Sequence, residues 1–178
     1  MSDSITHLQY PIGKFIRPQT FTEAQIQSWI GDIVTLPEML RLLVEPFDNL
    51  QLEIPYRPDG WTVRQVVHHL ADSHLNSYIR FKLALTEDRP TIKPYHQELW
   101  AKLPDNSVSA DISLDLLESL HARWAGLLRA MTFADFKREF MHPETGLVNL
   151  GQTLALYSWH GRHHYAHIKN LAASMHWL

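Results

Sequence analysis

Apolar and polar positions follow helical spacing over four long stretches of the chain, and each stretch opens on a residue able to cap a helix. The first opens at Thr22. Gln25, three residues on, completes a Ser/Thr-x-x-Glu/Gln box that satisfies the free N–H groups of a helix start. Ile26, Ile30, Ile33, Leu40, Val44 and Phe47 follow along one stripe. Pro37 falls inside the run, so a kink or break is expected near Leu36. The turn formers Arg57, Pro58, Asp59 and Gly60 lead to a second box, Thr62 with Gln65. The helix it starts is expected to reach about Glu87, roughly 39 Å at ~1.5 Å per residue. Val63, Val66, Val67, Leu70, Phe81 and Leu85 form its apolar stripe.

Residues 88 to 112 are broken by Pro90, Pro94 and Pro104, with a short helical piece expected around Gln97 to Lys102. Ser113 reads as the cap of a third helix reaching about Met131, carried by Leu116, Leu117, Leu120, Trp124, Leu127 and Leu128. After a connection containing HPETG, Asn149 with Gln152 starts a fourth. Leu150, Leu154, Tyr157, Ile168, Leu171 and Met175 lie on its one face. Little reads as a strand, and no repeat or low-complexity tract is present. The pattern predicts an all-α four-helix bundle, one domain over residues 1–178, in a class of fold that builds metal sites in its core.

Composition narrows the function more than the fold. The net charge is −3 with no run of like charges, which favours neither nucleic acid nor an anionic membrane as partner. No apolar stretch is long enough to cross a bilayer, and the start MSDSITHLQYPIG lacks the pattern of a signal peptide. Cysteine is absent, which removes disulfides, thiolate ligands and a cysteine nucleophile together and fits a cytoplasmic protein.

Histidine is the residue in excess, with 12 copies concentrated in VVHHLADSHLN (66–76) and WHGRHHYAH (159–167). His160 and His164 are four apart, so on a helix their Cβ atoms lie about 5–6 Å from each other on one face. That separation lets two imidazoles converge on one ion with bonds of about 2.0–2.1 Å. His163 and His167 form a second, overlapping HxxxH. Angular position places His164 inside the apolar stripe, with His160 and His167 on its flank. His163 falls farther out and is expected to be solvated. On the second helix the same test nominates His74 as the buried residue. His69 sits beside a polar face of Thr62, Ser73, Asn76 and Arg80, and His68 points away.

The stretch GWTVRQVVHHLADSHLNSYIRFKLALTE, followed by RPTIKPY and then YSWHGRHHYAHI, resembles the YfiT-like branch of the DinB superfamily, and the likeness runs from PIGKF to MHWL. The resemblance implies a bundle holding one divalent metal, zinc or nickel, between its second and fourth long helices. By position it implies His69 as the ligand from the second helix and His160 and His164 from the fourth. Many members follow the last ligand with Arg-Gly-Gln. This chain has Tyr165, Ala166 and His167 there, so the glutamine's part passes to His167 or is lost.

Three neutral ligands leave a dication its full charge and at least one open position, as in catalytic rather than structural zinc sites. Such an ion brings bound water to a pKa of about 7, and it deprotonates a bound thiol outright. The resemblance accordingly implies a metal-dependent hydrolase, or a bacillithiol-type S-transferase that joins a thiol cosubstrate to an electrophile. Asp72, one turn after His69, is the candidate base or second-layer acceptor. Asn76, Arg80 and His167 extend the candidate set, and Tyr95 and Trp100 are placed to cover the site. HExxH is absent, which argues against zincin proteases. The expected partners are a small-molecule substrate and a second copy in a homodimer. The rival expectation is a non-catalytic metallo-bundle whose ion staples two helices.

Overall fold

The computed structural model describes the backbone of residues 2–178 and side chains from residue 6 onward. In chain order the elements are α1 (Ser2–Gln9), α2 (Glu23–Val44), α3 (Asn49–Leu52), α4 (Val63–Thr86), α5 (Gln97–Trp100), α6 (Ala110–Ala130), β1 (Glu139–His142), β2 (Gly146–Asn149) and α7 (Leu150–Ser174). The boxes at Thr22, Thr62 and Asn149 all form, each side chain accepting from the backbone three residues on while the Gln amide answers to the cap. The third long helix starts earlier than expected. Ser109 caps α6, and Ser113 is buried within it, where its hydroxyl meets Nδ1 of His68 at 2.7 Å. A hairpin that the pattern did not predict closes just before α7, with Phe140 opposite Val148. Strands of four residues are too short for a period of two to show. Gly146 enters β2 at φ +76, the left-handed region glycine adopts freely.

Four long helices make the bundle. α2 and α4 each pack on both α6 and α7, so α2 lies diagonally across from α4. No described helix is long and apolar enough to cross a membrane. The core falls into two apolar clusters. One gathers Leu40, Val66, Leu70, Leu117 and Ile168; the other gathers Ile30, Phe81, Trp124, Leu128 and Leu154. Between them α4, α6 and α7 each carry histidine, at His69 and His74, His121, and His160 and His164. The polar layer is therefore built across the middle of the bundle.

Two features join α2 to its neighbours at that layer, one to α6 and one to α7. α2 does not break at Pro37; it runs unbroken from Glu23 to Val44. Pro37 lacks the N–H that would bond the Ile33 carbonyl, and Nδ1 of His121 lies 2.6 Å from that oxygen instead. Gly161, inside the histidine-rich turn of α7, faces Leu36. A Cβ there would come within 2.5 Å of Leu36 Cδ2, in a position where Leu36 is 4% exposed.

Gly161→Ala is accordingly expected to lower unfolding stability by about 1–3 kcal/mol through overpacking, even though alanine gains roughly 1 kcal/mol of helix propensity. A urea midpoint equal to or above that of the unmodified chain would show that Leu36 yields freely.

Candidate metal centre

α4 presents His69 and α7 presents His160 and His164 to one point. One ring nitrogen from each lies within 4.8 Å of the other two. Nε2 of His69 is 3.1 Å from Nε2 of His160, and the His160 and His164 ring centroids are 4.6 Å apart. Nitrogens bonded to one tetrahedral ion at ~2.0–2.1 Å stand about 3.3 Å from each other, so the spacing suits a cation. The donor set suits it as well. Burial pushes the His69 pKa down to about 3, and burial holds His160 and His164 well below the ordinary imidazole value. The rings are thus neutral near pH 7, the form in which imidazole binds metals. Among the described residues no other group of histidines and carboxylates converges in this way.

The angular test and the resemblance both describe something real about α4. His74 is fully buried, as the apolar stripe required, and His69 is buried too. His69 reaches the ion-sized gap from beside the core, against Trp61 at a centroid distance of 4.5 Å. The polar face beside His69 is covered by residues 93–108. Gln65 Nε2 donates to the Ala101 carbonyl at 2.9 Å, and Trp61 Nε1 donates to Glu98 at 3.2 Å. His68 is buried under the same segment, with Nε2 3.3 Å from the Val108 carbonyl.

Two cavities open on this centre. One of about 570 Å³ is lined by Tyr56, Trp61, Gln65, His69, Trp159 and His164, among others. The other, of about 510 Å³, is lined by Ser73, Arg80, Tyr95, His142 and Tyr157. His160, Gln97 and Glu98 border both. Glu98 is therefore the carboxylate common to the two mouths. Nothing in the spacing of the sequence pointed to it, because α5 is a single turn in an irregular segment. Asp72 and Asn76 line neither cavity. The Asn76 amide donates to the backbone carbonyl of Asp72 at 2.9 Å, and burial with Asp105 nearby raises the Asp72 carboxyl to about 6.

His167 stands directly behind His164, one of the three candidate ligands. Its Nε2 donates to the Gln9 carbonyl at 3.1 Å, so its Nδ1 is the accepting nitrogen, 3.4 Å from Nδ1 of His164. A proton on His164 Nδ1 leaves His164 Nε2 bare. His163, expected in solvent, is 7% exposed and stacked on Trp159 at 4.3 Å. The N-terminal segment buries it: Tyr10 packs nearby and the Trp159 indole donates to the Gly13 carbonyl.

So many neutral imidazoles make the metal-free protein acid-sensitive. An unfolded chain takes up protons near pKa 6.5, whereas burial lowers His121, His163 and His167 to about 4. Between those values the unfolded state binds more protons, so stability is complete above about pH 6.5 and lost as pH falls towards 4. Denaturation midpoints of metal-free protein should be level above pH 7 and fall steeply below 6.5. A level profile down to pH 5 would contradict the buried neutral rings.

Comparison with known proteins gives a consistent picture. The sequence profile of the DinB superfamily matches residues 33–168. A Bacillus cereus (strain 03BB102) protein named "Putative metal-dependent hydrolase" is 54% identical over 170 residues, 96% of this chain and 98% of its own. A Bacillus thuringiensis relative with the same kind of name matches to the same extent. Among solved structures, YfiT from Bacillus subtilis superposes with a TM-score of 0.94 at 48% identity, covering 97% of this chain and 99% of that one. It is described as "a probable metal-dependent hydrolase with an unusual four-helix bundle topology".

Proposed function

The chain belongs to the DinB superfamily, and from that premise we propose that it is a metal-dependent hydrolase of a small molecule, with His69, His160 and His164 holding one zinc or nickel ion. The observation that carries the reading is the convergence of three neutral imidazoles, bordered by two cavities, with no fourth side chain joining their cluster among the described residues. When bound, a divalent ion in such a set supplies Lewis acidity and lowers the pKa of water or a thiol that reaches its open position.

The chain's own residues supply the rest. Trp61 and Trp159 wall the larger cavity and keep bulk water from the imidazoles. Arg57 and Lys102 face Asp59 and Glu98 around the larger cavity, and Arg80 faces Glu98 and Glu144 in the second, so both linings mix charges and suit a polar substrate. Glu98, tethered by Trp61 and bordering both cavities, is the group placed to take a proton from the attacking nucleophile. His167 holds His164 in the orientation that turns Nε2 towards the ion. Asp72, outside both cavities, is assigned no step.

Two mouths meeting at His160 also favour a second reading, in which a thiol cosubstrate enters by one cavity and an electrophile by the other. With no cysteine in the chain, the thiol must come from outside. A panel of esters and amides, set beside thiols mixed with monochlorobimane or an epoxide, separates the two. Metal-dependent cleavage without conjugation supports the hydrolase; conjugation without cleavage supports thiol transfer. Activity that survives complete chelation, in either arm, would refute both.

His164→Ala is expected to lose stoichiometric metal while its helical circular dichroism persists. Near-complete occupancy by elemental analysis would remove His164 from the ligand set. Glu98→Gln is expected to keep the metal and lower kcat roughly 10²–10⁴-fold, the range for a lost general base. A kcat unchanged within a factor of three would return Glu98 to the task of tethering the covering segment.

A further inference from the structure

Behind His160 the core holds a line of polar contacts that ends on backbone. Nδ1 of His160 is 3.2 Å from Nε2 of His74. Nδ1 of His74 is 2.9 Å from Nε2 of His121. Nδ1 of His121 is 2.6 Å from the carbonyl oxygen of Ile33. The three rings come from α7, α4 and α6, and the carbonyl from α2, so the line crosses all four helices of the bundle.

The direction of every hydrogen bond in this line is forced from its far end. A carbonyl oxygen only accepts, so His121 must carry its proton on Nδ1. A neutral imidazole has one N–H, which leaves His121 Nε2 as an acceptor; His74 must then donate from Nδ1 and accept at Nε2. His160 in turn donates from Nδ1. His74 and His121 are 0% and 2% exposed, and no carboxylate is among their hydrogen-bond partners, so a charged ring here would be a buried, uncompensated ion. The rings have little freedom to escape. His74 meets Trp124 and Tyr157 edge-on, at interplanar angles of 82° and 87°, and His121 meets Trp124 at 89°.

The anchor itself exists because of a proline. In an unbroken α-helix the Ile33 carbonyl is taken by the N–H four residues on, and in α2 that residue is Pro37.

We propose that Pro37, His121 and His74 form a positioning relay that fixes His160 as its Nδ1–H tautomer and thereby commits Nε2 of His160 to the metal. The relay rests on the reading of His69, His160 and His164 as the metal site, and it adds to that site three residues that touch neither ion nor substrate. It also gives a reason for a proline in the middle of the longest run of α2, where it would otherwise only cost a hydrogen bond. Residues of this kind behind a ligating histidine typically change metal affinity by about 10–100-fold.

The first test needs no variant. Long-range proton–nitrogen correlation spectra of the metal-free protein at neutral pH should show His74, His121 and His160 all protonated on Nδ1. A proton on Nε2 of His160 would overturn the relay. The second test measures zinc affinity by chelator competition. His121→Phe, which keeps a ring but no hydrogen bonds, is expected to bind zinc roughly 10–100-fold more weakly with unchanged helical content. His121→Gln, whose amide can donate to the Ile33 carbonyl and accept from His74, is expected to recover most of that loss. Equal affinity of His121→Phe and the unmodified protein would refute the relay while leaving the metal site standing. Failure of the unmodified protein to bind zinc or nickel at all would refute the site and the relay with it. If His121→Phe does not fold, the tautomers in the unmodified protein decide the matter.

Discussion

A neutral imidazole placed between four helices brings two nitrogens into the core, and each must find a partner or cost the bundle stability. The middle of this protein is organised by that constraint. His68 answers it with Ser113 and the Val108 carbonyl, His121 with Ile33 and His74, and His167 with the Gln9 carbonyl and His164. Apart from Nδ1 of His163, which is buried without a partner, the nitrogens left over among the described residues of this layer are those of His69, His160 and His164 that converge on one another. Nε2 of His69 and Nε2 of His160 stand 3.1 Å apart with no other hydrogen-bond partner for either atom. Two lone pairs so close repel unless a proton or a cation lies between them. A proton on His69 Nε2 turns this contact into one hydrogen bond, and a dication held by the three rings would take that proton's place.

The helices were legible because their signals are local. A capping box needs four residues, and Thr22, Thr62 and Asn149 each supplied one that the fold uses. Ser113 misled because a serine before an apolar run has the same appearance whether it caps the helix or, as here, sits inside it to meet His68. The HxxxH pair was legible for the same local reason. That His69 rather than His74 converges with it was not, because helical periodicity reports which side faces the core and both residues prove buried. Only the resemblance to the DinB superfamily pointed to His69. What hides His69, His68 and His163 from solvent is contributed by segments 6–16 and 93–108, where prolines and turns give no periodic pattern to read. Glu98 escaped notice on the same ground.

Those covering segments also shape the chemistry. Residues 93–108 cross above the histidines and divide the approach into two cavities that meet at His160. The segment is fastened by side chains of the bundle itself, Trp61 to Glu98 and Gln65 to Ala101. Trp61 also packs on His69 and stacks parallel to His164, at centroid distances of 4.5 and 6.3 Å. One indole thus touches two candidate ligands and holds the carboxylate that borders both mouths. Among the described residues, Trp61 is thus the single side chain that joins the covering segment, through Glu98, to the ring of His69.

The two supports behind the candidate ligands of α7 follow one design by different means. His164 is backed by His167, which ends on the carbonyl of Gln9, the last residue of α1, where helix geometry leaves oxygens without partners. His160 is backed by His74 and His121, which end on the Ile33 carbonyl, left without its helical partner by Pro37. In both cases an oxygen that the helix does not use sets the polarity of a histidine chain, and the polarity sets which nitrogen is left bare towards the point where the three rings converge. A helix end offers such an oxygen for nothing, but only at the periphery of the bundle. In its centre, where His160 needs support, every carbonyl of an intact helix is already taken. A proline in α2 is the simplest way to free one there, and the unbroken course of the helix through Pro37 shows that the surrounding packing tolerates it.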